Sequence, residues 1–101
     1  MKHLTLTALA GLLSLSAFGQ NRMVLVEHFT QASCGPCASQ NPALKTLLDA
    51  NPTKVVALKY QVSWPGYDPM YLQNPTEVDA RVQFYGVTGV PNSVMDGSGP
   101  G

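Results

Sequence analysis

Met23-Val24-Leu25-Val26 places four apolar residues in succession inside a longer run of β-formers, Arg22 to Thr30. A strand with one wet face alternates apolar and polar residues, whereas a strand apolar on both faces needs cover on both. The run therefore reads as a central strand of the parallel type. Directly after it, Ser33 to Leu48 carries Cys37, Asn41, Leu44 and Leu48 at helical spacing, with Leu47 beside them, and the pattern stops at Asn51-Pro52. Pro36 suits the first turn of such a helix, where a missing N–H costs nothing. Pro42 lies inside it and should bend the axis.

Lys54 to Val62 is a second strand, and Ser63-Trp64-Pro65-Gly66-Tyr67-Asp68-Pro69-Met70-Tyr71 is a turn-rich aromatic loop. Asn74-Pro75-Thr76-Glu77 then offers a helix N-cap, a proline at the first helical position and a glutamate at the third. Val78, Val82 and Tyr85 fall on one face of that helix, and Gly86 ends it. Val87 to Gly97 reads as a tight turn, a proline and a short strand closing on the Asp96-Gly97 hairpin signal. Strand, helix, strand, helix, strand is an α/β order, and its first strand-helix-strand unit implies a right-handed parallel crossover. Ser98-Gly99-Pro100-Gly101 cannot supply the second arm of a hairpin, so the sequence reads as a fragment or the first part of a longer product.

Met1 to Gly19 stands apart from this pattern. A basic start at Lys2 and His3 precedes an apolar run from Leu4 to Phe18, with small Ala17 and Gly19 before Gln20. That is the form of a cleaved secretory signal, too short for a comfortable membrane span. Residues 20–101 are then one small domain of 82 residues with a thin core. The whole chain is formally neutral, and loss of Lys2 leaves the mature segment near −1. Without a cluster of Lys or Arg, nothing points to nucleic acid or to an anionic membrane surface, and no stable membrane insertion is expected after cleavage.

Cys34 and Cys37 are the only cysteines, and three readings compete for them. A structural staple over so short a loop removes little unfolded-chain entropy. Zinc needs four ligands, and only His28 could join the pair from the usual soft set; thiolate-bound copper(I) is no better supplied. A redox pair uses the geometry directly. The first cysteine of C-x-x-C at a helix N-terminus meets unpaired N–H groups and the positive end of the helix dipole, so Cys34 should titrate below a free thiol. Its thiolate would attack a disulfide, and Cys37, one turn on, would resolve the mixed disulfide.

Cys34-Gly35-Pro36-Cys37 resembles the active-site tetrapeptide of the thioredoxin family, and Pro42 falls where thioredoxins carry a helix-kinking proline. Tyr85-Gly86-Val87-Thr88-Gly89-Val90-Pro91 is similar to the family's loop before its cis-proline. The resemblance implies a thioredoxin-like fold, a three-layer α/β/α arrangement about a central mixed sheet, here without the last strand and helix. It also implies a cis bond at Pro91 beside the dithiol, with Val90 presenting backbone to an extended substrate. Glu27 and Lys59 resemble the family's buried acid and lysine behind the active site, with one extra residue between Glu27 and Cys34. In that role Glu27 would relay a proton to or from Cys37 and Lys59 would tune it. His28 would point to the opposite face of the strand as an ordinary half-buried histidine.

Two departures narrow the resemblance. Ser33 stands where thioredoxins usually have tryptophan, and Val62 to Asn74 is a loop that a minimal thioredoxin lacks. With that loop, the chain is similar to secreted bacterial thioredoxin-like proteins described as outer-membrane-related. Gly35, Pro36, Val90 and Trp64 are the expected substrate contacts, although the loop aromatics Trp64, Tyr67 and Tyr71 read first as anchors packing the loop onto its own domain. The expected protein is an exported thiol-disulfide oxidoreductase, in the periplasm, at the outer membrane or outside the cell. Its substrates would be cysteine-containing exported proteins, alongside an electron donor or acceptor, with no cofactor beyond the Cys34–Cys37 disulfide and no metal. The alternative is a non-catalytic binding or surface module with a passive disulfide.

Overall fold

The computed structural model of the chain describes residues 21–98; the expected export signal at 1–19 and the last three residues lie outside them. Three strands and two helices follow in the order β1 (Val24–Thr30), α1 (Gly35–Asp49), β2 (Val55–Gln61), α2 (Pro75–Tyr85) and β3 (Asn92–Met95), with a single 3₁₀ turn at Tyr71–Gln73 before α2. β1 lies in the middle of the sheet, parallel to β2 on one side and antiparallel to β3 on the other. Its central place explains its sequence: Val26 to Thr30 are buried without alternation, whereas edge strand β2 leaves Val56 and Leu58 exposed.

The period of two in β1 sorts the molecule into layers. Phe29 faces α2. It stacks on Tyr60 of β2, meets Tyr85 of α2 edge to face, and belongs to a buried cluster with Val62, Val78, Val87 and Val94. His28 and Thr30 face the other way, where Asn41 of α1 hydrogen-bonds to both. Towards the far end of that face, Val24 and Val26 meet Leu44 and Leu48 across an apolar cleft of about 340 Å³. The two helices thus cover opposite faces of a three-stranded mixed sheet, and Cys37, Asn41, Leu44 and Leu48 form the inward face of α1 that their spacing predicts.

The element ends show which local signals operate. α1 runs through Pro42 to Asp49 without a break. α2 starts at Pro75 and ends at Gly86, whose φ of +64° is the left-handed conformation that glycine adopts without a side-chain clash. The cap expected of Asn74 is not made: its side chain bonds no backbone N–H of the first turn. After β3, Asp96 and Gly97 both take positive φ, and Ser98 N–H donates to Met95 O at 2.9 Å, so the Asp-Gly pair forms the two-residue turn it predicts.

Candidate active site

β1 ends at Thr30, and α1 begins after four intervening residues, so the first turn of α1 lies at the end of the central strand. Cys34 is the N-cap of α1, in extended conformation (φ −88°, ψ 111°), and its Sγ accepts the Cys37 backbone N–H at 3.1 Å. That is the position a serine or aspartate oxygen takes in an ordinary N-cap, with sulfur in its place. Cys34 and Cys37 are joined as a disulfide, and both are buried, Cys37 completely. Gly35 and Pro36 between them are exposed.

The loop between α2 and β3 meets the pair from the side. The Val90–Pro91 peptide bond is cis, and the Val90 carbonyl oxygen lies 3.7 Å from Cys34 Sγ. Four of the residues singled out in the sequence, Cys34, Cys37, Val90 and Pro91, are therefore gathered at one end of the sheet. Among the described residues no group of three or more His, Cys, Asp or Glu is placed to hold a metal ion.

Glu27 and Lys59 are not gathered with them, and the expected pair does not form. In the parallel register Glu27 stands opposite Leu58, and Lys59 stands opposite His28. Glu27 shares the α2 face with Phe29, so the sheet separates its carboxylate from Cys37. There it is almost wholly buried and fully engaged: Tyr60 donates to Oε1 at 2.9 Å, Tyr85 donates to Oε2, and Arg81 Nε approaches Oε1 at 3.4 Å. The carboxylate pushes the Tyr85 phenol above its ordinary range through their hydrogen bond. Tyr60 is raised first by burial and then by Glu27. These bonds tie Glu27 to β2 and α2, and none of them leads to Cys37.

His28 occupies the dithiol side of the strand instead. It is 4% exposed. Its Nε2 faces Asn41 Oδ1 at 3.0 Å and its Nδ1 faces Ser93 Oγ at 2.8 Å. Because Asn41 Nδ2 is given to Thr30 Oγ1, the Asn41 oxygen can only accept, so the His28 proton sits on Nε2. Burial, with Lys59 beside it, lowers the imidazole below its usual range against the raising effect of the Asn41 bond and the Asn92 backbone. His28 thus joins β1, the dithiol helix and the strand after Pro91 through one neutral side chain.

The aromatic loop is tied to the residues just before Cys34, through contacts that the sequence did not single out. Buried Asp68 accepts from Ala32 N at 2.9 Å with one carboxylate oxygen and from Met70 N at 2.8 Å with the other. Buried Gln31 accepts from Ser33 N at 2.6 Å and donates to Gly66 O, and Ser33 Oγ donates to Tyr67 O at 2.6 Å. Trp64, expected as a substrate contact, packs against the core cluster, as does Tyr71, while Tyr67 is 72% exposed. The Asp68-Pro69 dipeptide was the available signal, since an aspartate accepting from the N–H two residues on is a common turn device; its second bond, to Ala32, is long-range and leaves no local mark.

No protein-family model matches the chain, and no curated protein is significantly similar to it.

Proposed function

We propose that the chain is an exported thiol-disulfide oxidoreductase domain of thioredoxin-like fold, which exchanges disulfides with cysteines of other exported proteins. The observation that carries this reading is Cys34 Sγ in the N-cap position of α1, accepting the Cys37 N–H. A thiolate there is stabilised by that N–H and by the helix dipole, and it is the attacking species in exchange. The thioredoxin-like assignment is supported by the order of elements, by helices on both faces of a mixed sheet and by Cys34-Gly35-Pro36-Cys37 beside Val90–Pro91. Export follows from the form of residues 1–19 and sets the substrates among extracytoplasmic proteins.

In the reducing direction, the Cys34 thiolate attacks one sulfur of a substrate disulfide. A mixed disulfide forms and the other substrate sulfur leaves as a thiolate. The Cys37 thiol, giving up its proton, then attacks Cys34 Sγ and expels the second substrate sulfur. Two electrons pass from the dithiol to the substrate, and the substrate thiols take up the Cys37 proton and one from solvent, which received the Cys34 proton on ionisation. Reversal of the same steps from the Cys34–Cys37 disulfide oxidises a substrate dithiol. Gly35 and Pro36 leave the outer surface of the pair uncluttered, and the Val90 backbone offers hydrogen-bonding groups to an extended peptide.

The test is the pH dependence of Cys34 alkylation in the reduced protein, with Cys37→Ser as the control. Half-reaction at least one unit below about 8.5 is expected of an activated nucleophile. An ordinary thiol, together with partner binding that survives Cys34→Ser and Cys37→Ser, would move the assignment to a non-catalytic binding module.

A further inference from the structure

In the segments bordering the dithiol, residues 31–44, 60–67 and 82–95 carry no Asp, Glu, Lys or Arg, and Asp68, next in the loop, is buried with both carboxylate oxygens bonded to backbone N–H groups. A partner docking here meets neither sign of charge, so charge steering is absent and apolar contact has to supply selection. Within this neutral surface one large side chain stands out. Tyr67 keeps most of its surface in solvent while its own main chain is anchored beside Cys34.

The anchoring is specific. Ser33, the residue before Cys34, donates through Oγ to the Tyr67 carbonyl. Gly66 lies so close that a Cβ on it would stand 3.0 Å from Ser33 Cβ, a contact that a larger residue could make only by pushing Ser33 aside by a few tenths of an ångström. Gln31 and Asp68, each 3% exposed, hold the rest of the loop to residues 31–33. A loop pinned by buried polar side chains has already lost its conformational freedom, so an aromatic ring carried on it makes contact at little further entropic cost. The neighbouring aromatics Trp64 and Tyr71 are used up in the core; the ring of Tyr67 is not.

We propose that the Ser63–Met70 loop is the specificity rim of the dithiol, with Tyr67 its contact residue, selecting polypeptide disulfides that carry an apolar or aromatic residue next to the cysteine. This rests on the oxidoreductase reading above. The dithiol then has two different walls. The Val90 backbone is indifferent to substrate sequence, and Tyr67, on the loop held to Ser33, discriminates. A small disulfide with no flanking residues reaches Cys34 without touching Tyr67.

The experiment uses the pre-reduced full chain and three oxidants: two peptide disulfides identical except for Phe or Ser beside the cysteine, and hydroxyethyl disulfide. Each protein molecule reacts once, moving two electrons from Cys34 and Cys37 to the added disulfide. The parent protein should favour the Phe peptide by about tenfold in the second-order rate constant of this single turnover, carried mainly by a lower half-saturating peptide concentration, as burial of part of an aromatic face provides. Tyr67→Ala should bring the two peptides within about twofold and leave the hydroxyethyl disulfide rate unchanged, whereas Tyr67→Phe should keep the preference. Thermal unfolding should be the same for all three proteins, because the loop is held through the Tyr67 carbonyl and not its ring. Equal rates for the two peptides in the parent, or a preference surviving Tyr67→Ala, overturn the proposal while leaving the oxidoreductase reading intact. Failure to reduce any of the three disulfides overturns both.

Discussion

Glu27 and His28 are neighbours in sequence and occupy different environments because the pleat sends them to opposite faces. Glu27 meets two phenols and a guanidinium, so its charge is paired and its oxygens are occupied. His28 meets two neutral side chains, Ser93 and Asn41, with Lys59 opposite it on β2 as the charged group facing it. Its imidazole is therefore held neutral in the folded chain, with its affinity for a proton lowered by burial first. The unfolded chain binds that proton near pH 6.5, so below this pH the unfolded state takes up more protons than the folded one. Stability is thus full above about pH 6.5 and declines as the pH falls from there towards the lower folded value. Urea midpoints measured between pH 7.5 and 5.5 should fall for the parent protein. In His28→Gln the same series should be flatter, whatever the offset caused by the substitution itself. An equally steep decline in His28→Gln would assign the pH dependence to another group.

Among the elements, the loop between β2 and α2 owes its shape to Asp68 more than to its aromatics. One buried carboxylate accepts two backbone N–H groups, one from its own turn and one from the segment leading to Cys34. Asp68→Ala leaves both donors without that partner, a loss of about 2 kcal/mol. Hydrogen exchange should speed up at the Ala32 and Met70 amides and stay slow through α2; a uniform increase would mean that Asp68 stabilises the whole domain and not the loop. This contact also marks how far the sequence can be read. β1, the inward face of α1, the Gly86 stop, the Asp96-Gly97 turn and the cis bond at Pro91 were legible because each is written in adjacent residues or in a short motif. The Asn74 cap failed because a residue type suited to capping does not fix its own backbone, here at φ −154° and ψ 58°. The Glu27–Lys59 pair failed for a different reason. Alternation tells that Glu27 and His28 face opposite ways, yet which face receives α1 is decided by long-range packing, and with it which of the two meets that helix. The cis bond at Trp64–Pro65 and the Asp68–Ala32 tie are likewise properties of the assembled loop.

At the scale of the molecule, the two faces of the sheet divide the work. The α2 face holds the buried apolar cluster about Phe29, and the α1 face holds the dithiol helix over a polar network and an apolar cleft. Stability should therefore be concentrated on the side away from the chemistry. A domain of this size has about 4–12 kcal/mol in total, and Phe29→Ala, which empties the centre of the cluster, should remove about 4 kcal/mol. Leu47→Ala, on the α1 side and 56% exposed, should change stability by no more than about 0.5 kcal/mol. Urea unfolding of the two variants tests the division, and the thiol chemistry reports on it independently. The activation proposed for Cys34 comes from the first turn of α1, and so it exists only while α1 is docked on the sheet. Reduced Phe29→Ala, with its transition shifted towards zero urea, should therefore show Cys34 alkylation moving up towards the free-thiol value of about 8.5, although Phe29 lies on the opposite face from the sulfur. If Phe29→Ala unfolds easily and Cys34 keeps its reactivity, the activation is local to the Cys34-Gly35-Pro36-Cys37 turn and does not depend on the fold. If both are retained, the α2 face is not where the stability lies.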